Sequence, residues 1–123
     1  MILVDTSVWI DHLRSSDAEL VQLLACGQVV GHPFVIGELA LGNLQQRNEI
    51  LSALQNLPQA PVATEKEVLG FIEQNGLYGA GIGYIDAHLL AAARLAAGTA
   101  LWTRDKRLLA VSTRLGLAAK THH

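Results

Sequence analysis

Four acidic residues stand in apolar or glycine-rich surroundings, so far apart along the chain that only folding could bring them together. They are Asp5, Glu38, Asp86 and Asp105. An ionised carboxylate in such surroundings costs free energy unless it is paired, protonated or bound to a cation. Mg²⁺ and Mn²⁺ prefer oxygen ligands and bind carboxylates together with waters and phosphates. The four acids therefore predict a carboxylate site for Mg²⁺ or Mn²⁺.

Such a site would suit the hydrolysis of a phosphodiester. A metal held there could polarise the scissile phosphate, lower the pKa of an attacking water and shield the oxygens of the leaving group. Three hydroxyl side chains lie one or two residues from the acids and could hold ligand carboxylates or metal-bound waters. These are Thr6, Ser7 and Thr103. Helix capping is the other interpretation of the three hydroxyls.

Each acid also has a purely structural interpretation. Asp5 and Asp105 could each cap the helix that follows them. Glu38 and Asp86 are harder to explain in this way, because their neighbours three and four positions along a helix are mostly apolar. A buried structural pair is the alternative for these two acids.

The histidines and the cysteine do not indicate zinc binding or nucleophilic catalysis. His12, His32 and His88 show neither H-x-x-x-H nor H-E-x-x-H spacing, and we expect each to be a surface or partly packed residue. Cys26 is expected inside a buried apolar helix, where it could not act as a nucleophile. As the only cysteine it excludes an intramolecular disulfide and indicates a reducing compartment.

The composition predicts one soluble, cytoplasmic domain over residues 1–123. At this length a chain can bury roughly two thirds of the surface that its unfolded form exposes, so the fold needs no disulfide or structural metal. The sequence shows no basic leader and no apolar run of about 20 residues. His122 and His123 could be native or the remnant of an expression tag, and they carry no functional argument.

Charge is distributed unevenly along the chain. Residues 1–93 carry three basic and ten acidic side chains, a balance of −7, whereas residues 94–123 carry six basic side chains and one acid, a balance of +5. Basic groups around one of the four acids would suit a phosphate backbone lying across a metal. A solvated helix face with a basic tail is the alternative.

The order of elements predicts an α/β domain of three layers with a mainly parallel central sheet flanked by helices. Strands are expected over residues 2–5, 28–31, 62–63 and 99–102, and helices over about 6–14, 16–26, 33–42, 45–55, 64–75, 84–97 and 106–115. Capping-box patterns begin at Ser16 and Thr64. The glycine-rich segment 76–83 is expected to form a flexible loop. Asp5 and Asp105 both follow a strand, where ligand sites of parallel sheets lie.

Four segments, in their order and spacing, resemble the PIN-domain ribonucleases of the VapC type, which are the toxins of type II toxin-antitoxin pairs. The resemblance covers the whole length of the chain. The segments are VDTSVWI (4–10), GEL (37–39), YIDAHLLAAA (84–93) and LWTRDKRL (101–108).

The resemblance implies a metal-dependent endoribonuclease in which the four acids bind Mg²⁺ or Mn²⁺, supported by Thr6 and Thr103. It also implies cleavage of tRNA, rRNA or mRNA, a homodimer, and inhibition by a cognate antitoxin that enters the active-site groove. Some relatives carry a further acid where this chain has Lys106-Arg107, which leaves the number of metal ions open. Arg104, Lys106 and Arg107 become candidate contacts for RNA phosphates or for an acidic antitoxin segment.

Two other functions compete with this interpretation. A different Mg²⁺ hydrolase, such as a phosphatase, would be expected to carry an Asp-x-Asp pair, which residues 5–7 lack. A catalytically idle PIN fold could serve as an RNA- or protein-binding module, but such a module would not need all four acids.

Overall fold

A computed structural model describes residues 1–120, in which short strands alternate with helices. The elements are β1 (Ile2–Val4), α1 (Thr6–Arg14), α2 (Ala18–Ala25), β2 (Val29–Val30), α3 (Pro33–Ala40), α4 (Arg47–Gln55), α5 (Glu65–Gln74), α6 (Tyr84–Leu95), β3 (Ala100–Trp102) and α7 (Lys106–Arg114). This order confirms the predicted α/β fold class. His122 and His123, whose origin stayed open, lie outside the described residues.

The three strands form one parallel sheet in the order β2-β1-β3, with the first strand in the centre. On one side Leu3 pairs with Val30, and on the other Val4 pairs with Trp102. The strands consist of apolar residues because a parallel sheet is covered on both faces. The register sets the ends of β1 and β3 side by side, and Asp5 N–H donates to the Trp102 carbonyl at 2.9 Å.

Two isolated bridges extend the sheet, and one of them corrects a predicted strand. Gly31 pairs with Gln59, and Leu101 pairs with Ala118. The prediction of a strand at 62–63 was wrong, because the pairing to β2 occurs at Gln59 and ends there. Ala60 N–H donates to the Gly31 carbonyl at 2.7 Å, and the next residue, Pro61, has no N–H to continue the ladder.

The apolar core forms around the sheet and the central helix α6. Leu3, Leu101 and Leu108 are fully buried, and α6 is buried without interruption from Ala87 to Ala93. Burial on all sides explains why α6 has an almost continuous apolar sequence. The core therefore fixes the position of Asp86, which lies one residue before this buried stretch.

The starts of α1 and α5 agree with the sequence, whereas the cap of α2 and the first residue of α4 differ from those predicted. Thr64 and Glu67 form the predicted capping box of α5. The first helix is capped by Asp5 rather than by the hydroxyls of Thr6 or Ser7. The second is capped by Asp17, whose carboxylate accepts from Leu20 N–H at 3.0 Å, so the capping box predicted at Ser16 was wrong.

The start of α4 is later than predicted. The helix begins at Arg47 instead of residue 45, because Gln46 has a left-handed backbone with φ of 53°. That conformation is incompatible with a right-handed helix. Arg47 then donates to the carbonyls of Ala40 and Gly42, which ties the start of α4 to the end of α3.

Burial was predicted wrongly for three side chains. Cys26 is exposed at the end of α2, a helix in which Leu20 is buried and Leu23 and Leu24 are only partly buried against the core. His32 and His88, expected on the surface or partly packed, have exposed fractions of 0% and 4%. Among residues 1–120, no helix is both long and apolar enough to cross a membrane.

Candidate active site

Asp5 is the most firmly held of the four acids. It is 5% exposed and caps α1 at the end of the central strand. Its Oδ2 accepts hydrogen bonds from the hydroxyls of Ser7 at 2.7 Å and Thr103 at 2.8 Å. The Ser7 hydroxyl in turn accepts from Arg104 N–H at 3.1 Å. The ends of β1 and β3 are therefore joined through a single carboxylate oxygen.

Asp105 is connected to Asp5 through Thr103. The Thr103 hydroxyl, which donates to Asp5, accepts from Asp105 N–H at 3.1 Å. Asp105 Oδ1 accepts from Leu108 N–H at 2.9 Å and caps α7, while the residue itself is exposed. Capping and site formation are therefore compatible, because the cap uses only one of the two carboxylate oxygens.

Glu38 reaches the site from α3 and is oriented by α1. Thr6 donates its hydroxyl proton to Glu38 Oε1 at 2.6 Å. The two residues are 32 positions apart, so this bond fixes the position of α3 relative to the end of β1. A charge-assisted bond of this length is stronger than one between neutral groups.

Thr6→Val should lower kcat for RNA cleavage by about 10- to 100-fold, the usual cost of losing a side chain that orients a metal-ligating group. Valine keeps the shape of threonine but cannot donate to Glu38. The control is Thr6→Ser, which keeps the hydroxyl and should remain close to full activity. Steady-state kinetics on a defined RNA would measure both variants. Full activity of Thr6→Val would show that Glu38 needs no support from α1.

Asp86 lies in the first turn of α6 beside the glycine-rich loop. Its Oδ2 accepts from Gly83 N–H at 2.9 Å. Burial raises the pKa of Asp86, the Gly83 hydrogen bond lowers it, and the charges of Asp5, Asp105 and Glu38 raise it further. Because charges affect each other's pKa only at short range, all four acids lie in one electrostatic neighbourhood.

The four carboxylates share one arrangement that the sequence could not reveal. Each accepts hydrogen bonds through one oxygen, and within residues 1–120 the other oxygen accepts none. The held oxygens are Asp5 Oδ2, Glu38 Oε1, Asp86 Oδ2 and Asp105 Oδ1. The site therefore offers four anchored carboxylates, each with an oxygen left for a ligand.

The spacing of the acids bears on the kind of metal that would fit. Across the described part of the chain, no three acidic, histidine or cysteine side chains converge closely enough to enclose a metal ion. Mg²⁺ does not require such a cage, since it keeps several waters and commonly takes one or two carboxylates together with substrate phosphates. An all-oxygen donor set with no histidine or thiolate fits Mg²⁺ or Mn²⁺ and not zinc.

The basic residues predicted as contacts differ in how far they are already engaged. Arg104 forms ion pairs with Asp11 at 2.8 Å and Asp17 at 2.5 Å. Its guanidinium also lies 5.5 Å from the centre of the Trp102 ring. Lys106 and Arg107 are exposed in the first turn of α7. Arg104 therefore braces α1 and α2 against the site, and the other two are freer to meet a phosphate.

An aromatic cluster formed by residues at the starts of α3 and α6 contains the two buried histidines. The ring of Phe34 lies 5.1 Å from that of His32 and 4.6 Å from that of His88, and Tyr84 lies 4.7 Å from His88. His32 Nδ1 caps α3 by accepting from Phe34 N–H at 3.0 Å. The position of His32 before Pro33, at a helix start, was the one sequence signal for this role.

Comparison with known proteins identifies the class. The family model described as the PIN domain matches residues 2–113, so the chain belongs to the PIN-domain family. The crystal structure of FitAcB from Neisseria gonorrhoeae shares the fold, with a TM-score of 0.62, 23% identity, and coverage of 92% of this chain and 94% of that one.

Two similar relatives define the position of the chain within this class. Both carry the name Ribonuclease VapC32, from Mycobacterium tuberculosis strains CDC 1551 / Oshkosh and ATCC 25618 / H37Rv. Each is 52% identical over 118 residues, covering 96% of this chain and 95% of the relative. The chain is therefore a VapC-type PIN protein, which confirms the resemblance seen in the four sequence segments.

Proposed function

We propose that this protein is a metal-dependent endoribonuclease that acts as the toxin of a toxin-antitoxin pair. The observation that carries the proposal is the set of four carboxylates, each anchored through one oxygen, while the other oxygen accepts no hydrogen bond from residues 1–120. The name of its VapC32 relatives, Ribonuclease, supports RNA as the substrate. The substrate class would include tRNA, rRNA or mRNA.

Asp5, Glu38, Asp86 and Asp105 would hold Mg²⁺, with Mn²⁺ able to substitute. The bound ion would polarise the scissile phosphate and lower the pKa of the attacking water. Thr6 and Thr103 keep the carboxylates in place before substrate arrives, so little reorganisation is needed during the reaction. Burial raises the pKa of Asp86, and the negative charges of the other three acids, which a cation would neutralise, raise it further. Lys106 and Arg107 would contact phosphates beside the acids.

A groove next to Glu38 is the site that we propose for the antitoxin. It has a volume of about 810 Å³ and is lined by α1, the end of α3 and the start of α4. Ile10 and Leu13 are partly exposed there, and Glu38 forms part of the wall. An apolar segment lying in this groove would bury both side chains and block Glu38.

We also propose a homodimer located in the cytoplasm.

The test is cleavage of total cellular RNA by antitoxin-free protein with Mg²⁺ or Mn²⁺. We expect discrete fragments that disappear with EDTA and return when excess Mg²⁺ is added. Thermal melting of the same sample should show a higher Tm with Mg²⁺, because the cation binds the folded state and relieves repulsion among the acids. Intact RNA in every lane, with RNA bound by a folded protein, would favour the catalytically idle binding module.

A further inference from the structure

A second cavity lies next to Asp86, lined by Gly83 and Ala87 among others, and the proposed cleavage mechanism does not use it. It has a volume of about 260 Å³ and is formed by the end of α5, the glycine-rich loop and the first turn of α6. We call it the tyrosine pocket, since Tyr78 and Tyr84 line it together with Ile72, Leu77, Ala87 and the loop 79–83. The two tyrosines are 68% and 50% exposed.

The loop that forms the pocket depends on its glycines. Gly79 and Gly81 have φ values of 74° and 81°, in the left-handed region that other residues avoid. A Cβ on Gly81 would also lie 2.8 Å from Cδ of Arg107, so the arginine side chain runs directly over the loop. The exposed rings of Tyr78 and Tyr84 therefore lie at the two ends of a glycine-rich loop that the side chain of Arg107 covers.

Tyr84 is fixed in orientation by the aromatic cluster below it. Its ring is perpendicular to that of His88, with the centres 4.7 Å apart, and His88 packs against Phe34 in the same way. Such edge-to-face contacts restrict a ring that would otherwise rotate freely at the surface. One face of the pocket is therefore preformed, which lowers the entropy lost when a planar ligand stacks there.

The pocket lies beside the candidate active site. Gly83, which lines it, donates to Asp86, and Ala87 follows Asp86 in α6. Arg107 comes two residues after Asp105 and covers the loop at Gly81. A strand of RNA with its phosphate at the acids would therefore place an adjacent nucleotide at the tyrosines, with Arg107 close to its backbone.

We propose that the tyrosine pocket receives one unpaired nucleobase of the RNA, next to the scissile phosphate, and so selects the sequence or structure that is cut. This inference rests on the proposed function. The cavity volume of about 260 Å³ is large enough to admit a single planar base. Aromatic side chains and arginine are the groups that bind unstacked bases of RNA.

The experiment uses full-length protein carrying Asp5→Asn to prevent cleavage, and short single-stranded RNAs with the fluorescent base 2-aminopurine at successive positions. Stacking on tyrosine should quench the fluorescence at one position of the bound RNA. Phenylalanine at both positions (Tyr78→Phe with Tyr84→Phe) should preserve the quenching, whereas alanine at both (Tyr78→Ala with Tyr84→Ala) should abolish it and weaken binding about 10-fold. In otherwise unmodified protein, the double alanine variant should lower kcat/KM for cleavage by a similar factor.

The matched control is Leu95→Ala, which alters a side chain of the same helix as Tyr84 with the same exposed fraction of 50%, far from the pocket. It should change neither quenching nor cleavage. Equal quenching by the double alanine variant at positions 78 and 84 and by its parent would overturn the inference. A change from dimer to monomer in that variant would overturn it too, because it would make the pocket an interface. Quenching without cleavage by unmodified protein would refute only the proposed nuclease activity.

Discussion

Asp5→Asn is expected to lower kcat for RNA cleavage at least about 1,000-fold, equivalent to roughly 4 kcal/mol of lost transition-state stabilisation. Asparagine can keep an oxygen facing Ser7 and Thr103, so the bonds that join β1 to β3 can persist. The side chain loses its charge, however, and an amide is a weaker ligand for a hard cation than a carboxylate. The variant should therefore fold and bind RNA but not cut it.

The matched control for this prediction is Asp11→Asn. Asp11 lies on the same helix as the capping Asp5, but its side chain is 49% exposed and pairs with Arg104. Loss of one exposed ion pair costs little stability, and activity should stay within about two-fold of the parent. Single-turnover cleavage under matched Mg²⁺ concentrations would compare the three proteins. Comparable losses in both variants would indicate a general charge effect rather than a metal site.

His32→Asn is expected to remove a large part of the acid sensitivity of the fold. Burial, together with a smaller contribution from the charge of the neighbouring His88, lowers the pKa of His32 from 6.5 to about 4. Between these values the unfolded chain binds a proton that the folded protein does not. The free energy of unfolding should therefore be highest above pH 6.5 and fall by up to about 3 kcal/mol as the pH decreases to 4.

Urea unfolding at intervals between pH 4 and 7.5 would test this dependence on pH. Asparagine at position 32 can still accept from Phe34 N–H and cap α3, as the Nδ1 of histidine does. The variant should be less stable at neutral pH, because the smaller side chain leaves a void, yet its stability should change less between pH 6.5 and 4. An unchanged pH slope would show that His32 does not titrate against folding.

The acids were predictable because their signal is local. A charge such as Glu38 inside an otherwise apolar helix conflicts with burial, and that conflict is visible in the sequence alone. Asp5 and Asp105 were each predicted to follow a strand. Because the carboxyl ends of parallel strands meet at one edge of the sheet, both were expected where ligand sites lie. The sequence was enough to predict that the four acids lie near one another. Whether they bind metal stays a prediction.

The features that sequence reasoning missed depend on partners distant in the chain. His88 is buried because Tyr84, one turn earlier in the same helix, and Phe34 of α3 cover it, and nothing in the sequence of α6 indicates the contact with Phe34. Cys26 belongs to an apolar stretch, but α2 turns most of its surface away from the sheet. The tyrosine pocket likewise requires α5, α6 and the intervening glycines to be placed together, and exposed tyrosines alone do not indicate a cavity.

The hydrogen bond from Thr103 to Asp5 spans 98 positions of the sequence, and this separation constrains when the protein can act. During synthesis on the ribosome, β1 is made early but cannot pair with β3 until nearly the whole described chain has left the exit tunnel. Domains with such distant pairings fold late and slowly. Almost the whole described chain must therefore be made before Thr103 can hold Asp5, so a nascent chain would lack the arrangement of its candidate active site.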